Sequence, residues 1–240
     1  TQATAHDLKR AVEVAVEDRD GWRTLSAKER QRILANVANK IRERRGDLIG
    51  VAAAEVGKVF SETDVEVSEA IDFVEYYSHS AVSFEAFSNL KMTGKGVGVV
   101  VPPWNFPIAI PVGGISAALA SGNCVILKPA SVAVLSAYEL CQCFWDAGVS
   151  KNVLQFVPCA GELAGEHLIN DEKVDFVILT GGEETAYKML KNRPSLFLSA
   201  ETGGKDATIV TAMGDRDQAI KNVIHSAFSN SGQKCSATSL

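Results

Sequence analysis

The sequence predicts an α/β protein: a doubly wound, mainly parallel sheet of the Rossmann-like kind, preceded by an N-terminal helical segment. Three observations point to this fold. Beyond Gly94, short apolar runs alternate with helical stretches, the order of successive β-α units. Those runs are nearly free of polar residues, as in strands covered on both faces. Before Gly94, apolar positions recur instead at helical spacing.

Taken in order, Leu25-Ser26-Ala27-Lys28-Glu29-Arg30 carries a helix-capping signal, and Ile33, Val37, Ile41 and Leu48 continue at helical intervals. Val67, Ile71, Val74 and Ala81 form a second apolar stripe, with Tyr76 and Tyr77 beside it and expected in the core. The polar segment 91–96 is expected to form a hairpin or projecting edge suited to an oligomer contact. Strands are predicted at 98–101, 124–127, 153–157, 176–179, 197–200 and 208–210, and helices near 108–120, 133–147, 163–169, 184–191 and 217–230. Ligands of such a sheet bind at the carboxyl ends of its strands.

The chain's 240 residues and 46% hydrophobic content suffice for a substantial core. A net charge of -5 without a basic stripe argues against nucleic acid or an anionic membrane as partner. No apolar stretch reaches the roughly 18 residues of a membrane span, and the first seven residues lack a signal-peptide pattern. Five cysteines without metal-site spacing fit a reducing compartment, so no metal is expected and the location read is cytoplasmic, with the mitochondrial matrix left open. A start at Thr1 and a stop five residues after Cys235 suggest a piece of a longer chain.

Several strand exits carry residues able to do chemistry. Asn105, in Pro102-Pro103-Trp104-Asn105-Phe106-Pro107, either caps the following helix or donates to a developing oxyanion, which is worth roughly 2.7 to 4 kcal/mol when preorganised. Lys128 ends an apolar strand before Pro129 and is either a solvated lysine or an ammonium set for ribose hydroxyls or phosphate. Thr180-Gly181-Gly182 offers backbone N–H groups near a helix start, and Gly161 and Gly165 allow close approach to a cofactor; turn glycines are the alternative. Glu201, before Thr202-Gly203-Gly204, is either a base for water or a capping or salt-bridged carboxylate. Cys235 is the best nucleophile among the five cysteines, with Lys234 beside it able to favour the thiolate if aimed towards it; Cys124, Cys141, Cys143 and Cys159 are expected to be buried and inert. None of the four histidines has a partner at catalytic spacing.

Pro103-Trp104-Asn105-Phe106-Pro107, Leu127-Lys128-Pro129, Thr180-Gly181, Glu201-Thr202-Gly203-Gly204-Lys205 and Gly232-Gln233-Lys234-Cys235 together resemble the aldehyde dehydrogenase superfamily, in its order and spacing. The resemblance starts in the early helices, at Glu55-Val56-Gly57-Lys58, and corresponds to the first half of a member. Gly232-Gln233-Lys234-Cys235-Ser236-Ala237 and Ala70-Ile71-Asp72-Phe73 are most similar to the Δ1-pyrroline-5-carboxylate dehydrogenases, which oxidise glutamate γ-semialdehyde to glutamate in proline catabolism.

What the resemblance implies is specific. Cys235 attacks the aldehyde, Asn105 and the Cys235 backbone N–H hold the oxyanion, and Glu201 activates the water that hydrolyses the thioester. Lys128 binds the adenosine ribose, Trp104 lines the nicotinamide path, and Pro103, Pro129, Ser131, Gly161, Gly165, Thr180, Gly181, Gly182, Thr202 and Gly203 complete the cofactor site. Phe106, Lys234 and Ser236 face the substrate. NAD is the implied cofactor; Ser131 stands where many NAD-preferring members carry a glutamate, which keeps NADP open. The implied division is 1–93 as the helical part of the cofactor domain, 94–212 as the NAD(P)-binding core and 213–240 as the start of a catalytic domain. An aldehyde substrate and a homo-oligomeric parent enzyme are implied, with a weakly active or inactive fragment as the chain itself. The alternatives are a noncatalytic dinucleotide- or subunit-binding module, or another aldehyde such as succinate semialdehyde.

Overall fold

The computed structural model describes residues 2–239. Helix α1 (Ala5–Glu17) opens on a Thr4/Asp7 capping box, and α2 (Ala27–Glu43) opens on the Ser26/Glu29 box that the sequence signals. Helices α3 (Arg45–Val56) and α4 (Phe60–Glu85) are separated at Gly57, whose φ of 71° suits a residue without a Cβ. Leu34, Val37 and Ile41 of α2 meet Val67, Ala70 and Val74 of α4 in one buried cluster, which places the predicted stripes inside. Tyr77 packs against that cluster. Tyr76 does not: it is 67% exposed, because it falls on the outer side of α4.

Five parallel strands follow: β1 (Val97–Val101), β2 (Cys124–Leu127), β3 (Leu154–Phe156), β4 (Phe176–Gly181) and β5 (Phe197–Thr202), in spatial order β3-β2-β1-β4-β5. Between them run α5 (Ala109–Ala120), α6 (Val134–Asp146), a short α7 (Gly161–Ala164) that continues as a π turn (Gly165–Ile169), and α8 (Glu183–Asn192). Side chains alternate across the sheet as the pleat requires. Val100, Val125 and Leu127 join the cluster with α2, α4, α5 and α6, whereas Val97, Val99, Cys124 and Ile126 join the cluster with α1. Both faces of β1, β2 and β4 are therefore covered, while the edge strand β5 stays largely exposed, and the doubly wound prediction is met. No helix of the described residues is long and apolar enough to cross a membrane.

A predicted strand and a predicted hairpin are absent. Residues 208–210 form no strand, and Ile209 is 86% exposed. β5 is the sheet's edge, and the segment's neighbourhood makes only the isolated bridge between Asp206 and Thr238, so an apolar run there has no ladder to complete. Residues 91–95 form neither hairpin nor strand; the chain runs irregularly into Gly96 and β1. The last helix, α9 (Arg216–Phe228), stops two residues before its predicted end and gives way to a tight turn, Ser229–Gly232.

Gly98 sits opposite Phe176 in the β1–β4 register, and a Cβ there would collide with the Phe176 ring. Gly98→Ala should destabilise the chain by about 1–3 kcal/mol, with Phe176→Leu restoring part of the loss, as read from urea unfolding midpoints.

Candidate active site

The chain goes out from β1 through β2 to β3, then returns to the other side of β1 for β4 and β5. The order thus reverses between β1 and β4, and a crevice is expected outside their carboxyl ends. A cleft of about 1240 Å³ lies there. Pro103, Trp104, Asn105 and Phe106 line it after β1, Lys128 and Ser131 after β2, and Gly161 and Gly165 after β3. Thr180, Gly181 and Gly182 come to it at the end of β4, and Glu201 and Gly203 at the end of β5. Gln233, Lys234 and Cys235 close one side. The predicted site residues Pro129, Thr202 and Ser236 are not part of the wall: Pro129 is buried beneath it, Thr202 pairs with Gly181 inside the sheet, and Ser236 lies beyond the turn that carries Cys235.

Asn105 does not cap α5. The N–H groups of Ile108 and Ala109 donate instead to Oε1 of Glu66 on α4, at 2.7 and 3.0 Å. Pro107 lies in the turn before α5 rather than in its first turn. Asn105 Nδ2 donates to the carbonyl of Gln233 at 2.8 Å, two residues before Cys235. A carboxamide has two N–H bonds, so the second remains for another acceptor in the cleft.

Cys235 is exposed, and the other four cysteines are buried. Burial pushes the thiols of Cys124 and Cys143 up to about 12 and about 11 and raises those of Cys141 and Cys159, which makes them poor nucleophiles. Cys235 follows a turn in which Asn230 and Ser231 have φ of 51° and 55°, the left-handed region that non-glycine residues enter at a cost. The Lys234 ammonium has partners of its own. Its Nζ lies 2.9 Å from a Glu62 carboxylate oxygen and 3.1 Å from Ser229 Oγ, so it tethers the turn to α4.

Glu201 pairs in register with Thr180 and is exposed. It caps neither α8, which has no side-chain cap, nor α9, which Asp215 caps. Behind it Gly204, at φ 142°, packs against the Cys235 carbonyl so closely that an added Cβ would stand 2.8 Å from that oxygen. The loop following the acid and the loop bearing the thiol are thereby held in contact.

The remaining walls suit an extended ligand. Lys128 is a buried ammonium whose Nζ donates to Pro129 O at 3.0 Å, which leaves two of its three donors for something in the cleft. Gly161, Gly165, Gly181 and Gly182 have no positive φ, and a Cβ at any of them would meet nothing within 4 Å. Neither backbone nor packing demands glycine there, whereas a cofactor laid against the backbone would.

Four residues around the site were given no role by the sequence, although Glu55 and Lys58 stand in the Glu55-Val56-Gly57-Lys58 segment of the resemblance: Lys58 and Glu66, which hold the Asn105 segment; Glu62, which holds Lys234; and Glu55, which accepts from the N–H groups of Leu135 and Ser136 and caps α6. Glu62 and Glu66 stand one helical turn apart, a signal indistinguishable from a solvated helix face until their distant partners are known.

A model of the aldehyde dehydrogenase family matches residues 1–240. The 1-pyrroline-5-carboxylate dehydrogenase of Staphylococcus haemolyticus is 37% identical over 257 residues, covering 100% of this chain and 50% of that protein. The structure of proline utilization A from Corynebacterium freiburgense superposes with a TM-score of 0.93 at 38% identity, over 98% of this chain and 24% of that one. An NAD-dependent aldehyde dehydrogenase from Sinorhizobium meliloti gives 0.92 at 29% identity, over 98% and 50%. The chain spans about half the length of the curated relatives it matches.

Burial draws the Lys128 ammonium below its usual pKa. The folded state then holds that proton less tightly than the unfolded chain, so the charge costs stability below the lowered value, and the cost fades as pH rises towards 10.5. Ligand-free Lys128→Met should melt at or above the wild-type temperature near pH 7, with the difference shifting in favour of wild type by about pH 10.

Proposed function

The chain belongs to the aldehyde dehydrogenase family, and from that membership we propose that it is the cofactor-binding and nucleophile-bearing half of an NAD-dependent dehydrogenase that oxidises glutamate γ-semialdehyde to glutamate. The observation that carries this reading is the meeting of Cys235, Glu201 and Asn105 on one cleft, with the Asn105–Gln233 hydrogen bond and the Gly204–Cys235 contact joining their loops. The narrower substrate rests on the relatives named 1-pyrroline-5-carboxylate dehydrogenase.

In the proposed reaction the Cys235 thiolate attacks the aldehyde carbon, and the free N–H of Asn105 with the Cys235 backbone N–H steadies the oxyanion that forms. Lys128 and the four open glycines would hold NAD, which would supply the hydride acceptor; loss of hydride from the attacked carbon leaves the Cys235 sulfur carrying a thioester. Glu201 then takes a proton from water, whose oxygen attacks the thioester carbon; the C–S bond breaks and returns the thiolate with the carboxylic acid as product. A base at this position favours hydrolysis over transfer of the acyl group to another thiol. Ser131 brings no negative charge to the ribose side of the cleft, so the discrimination against NADP on this reading is weak.

We assign 1–93 and 94–212 to the cofactor domain and 213–240 to the start of a catalytic domain. The apolar surface of that last part supports the assignment: Met213 is 95% and Phe228 73% exposed, as expected of a layer that other residues of the whole protein cover.

In the whole protein, Cys235→Ser should abolish aldehyde oxidation while leaving NAD affinity within about twofold by calorimetry. Native alkylation of the wild type should label Cys235 and spare the four buried cysteines, by mass spectrometry. Glu201→Gln should keep a first-turnover burst of NADH and lose about 10²–10⁴ in steady-state rate. The 240-residue chain alone should show little or no turnover. Retained oxidation by Cys235→Ser would overturn the reading.

A further inference from the structure

Lys58 and Glu66 form an ion pair at 2.7 Å, with side chains 2% and 0% exposed. Burial raises the Glu66 carboxyl above its usual pKa, against the pull of Lys58 and of two backbone donors. A pair this deeply desolvated is a poor source of stability compared with apolar residues of the same volume. Its contacts indicate what else it does. Lys58 Nζ has three donors: one meets Glu66 Oε2, a second donates to the main-chain carbonyl of Asn105 at 3.0 Å, and the ammonium lies 3.6 Å from the centre of the Phe106 ring. Glu66 uses its other oxygen on the N–H groups of Ile108 and Ala109.

Beyond their own ion pair, the hydrogen bonds and ring contact of the two residues fall on residues 105, 106, 108 and 109. It binds Asn105 through the backbone and leaves the side chain free to reach across to Gln233. Both members stand on the α3–α4 scaffold: Lys58 follows Gly57 at the end of α3, and Glu66 lies inside α4.

We propose that Lys58 and Glu66 are positioning residues whose task is to aim the Asn105 carboxamide at the oxyanion position beside Cys235. The inference rests on the reading of Asn105 as an oxyanion donor, and it goes beyond that reading by assigning the aim of the donor to a buried charge pair that touches no substrate. A donor displaced by about 1 Å loses on the order of a hundredfold in rate, so the clamp has a measurable kinetic signature.

The test is a double-mutant cycle in the whole protein, with Lys58→Met and Asn105→Ala singly and combined. Lys58→Met should lower kcat about tenfold to a hundredfold while KM and NAD affinity change less than about threefold; in the Asn105→Ala background it should cost less than about threefold. Glu66→Gln, which keeps an acceptor oxygen for the α5 N–H groups, should reproduce the effect with less loss of stability. Equal losses in both backgrounds, or lost stability with kcat unchanged, would overturn the proposal. A second readout does not depend on the reaction: the side-chain NH₂ signals of Asn105 in the 240-residue chain should shift or broaden in Lys58→Met, and unchanged signals would equally overturn it. A whole protein that oxidises no aldehyde would instead defeat the functional reading and leave this NMR comparison to decide the positioning.

Discussion

A parallel sheet covered on both faces has only its strand ends left to meet a ligand, and that constraint organises this molecule. Val100 and Val99 point to opposite buried clusters, as do Leu127 and Ile126, so neither face of these inner strands is free for chemistry. The reversal of strand order between β1 and β4 opens a gap at one end only. Asn105, Lys128, Thr180 and Glu201 are spread over almost a hundred residues of sequence, yet each comes just after a strand or at its last residues, and each lines the same cleft.

Helix starts crowd that same end, and each brings unpaired N–H groups. Two of them are occupied from within: Glu66 accepts from the start of α5 and Glu55 from the start of α6. Helix α8 begins at Gly182 without a side-chain cap. On the proposed reading, this is where a pyrophosphate would sit, held by backbone N–H groups. Glu183 and Glu184 already oppose the α8 dipole in its first turn, so hydrogen bonding rather than net positive charge would do the holding there. The counter-charge would come from elsewhere in the cleft, and Lys128 is buried in its wall with donors to spare.

The strands were legible because an apolar run bounded by glycine or proline has few other uses. β2 matches its predicted limits, and β4 and β5 are each two residues longer than predicted. The same rule failed at 208–210, since composition does not reveal whether a neighbouring strand exists to pair with. Cys235, Glu201 and Asn105 were legible as candidates, being chemically distinctive residues at strand or helix exits, but which alternative held for each depended on partners far away. Asn105 became a donor to Gln233, 128 residues distant, and Lys234 took Glu62 as its ionic partner. Glu66 was hidden most completely, since a carboxylate within a helix reads as solvated until the chain is folded around it.

The turn before Cys235 shows how local strain and long-range contacts combine. Asn230 and Ser231 in succession hold left-handed backbone, at roughly 1–2 kcal/mol each for a residue with a Cβ, less for Asn. Such a turn persists only if its surroundings fix it. The Gln233 carbonyl accepts from both Asn230 Nδ2, at 3.0 Å, and Asn105 Nδ2, at 2.8 Å, filling both of its lone pairs. Lys234 ties the next residue to Glu62 and Ser229. The thiol is therefore the first side chain after a segment pinned from within the turn, from the β1–α5 loop and from α4. Those two outside supports both lead back to α4, because the β1–α5 loop is itself held by Glu66 and Lys58. A helix whose sequence shows only an apolar stripe for the core thus sets where nucleophile and donor stand relative to each other.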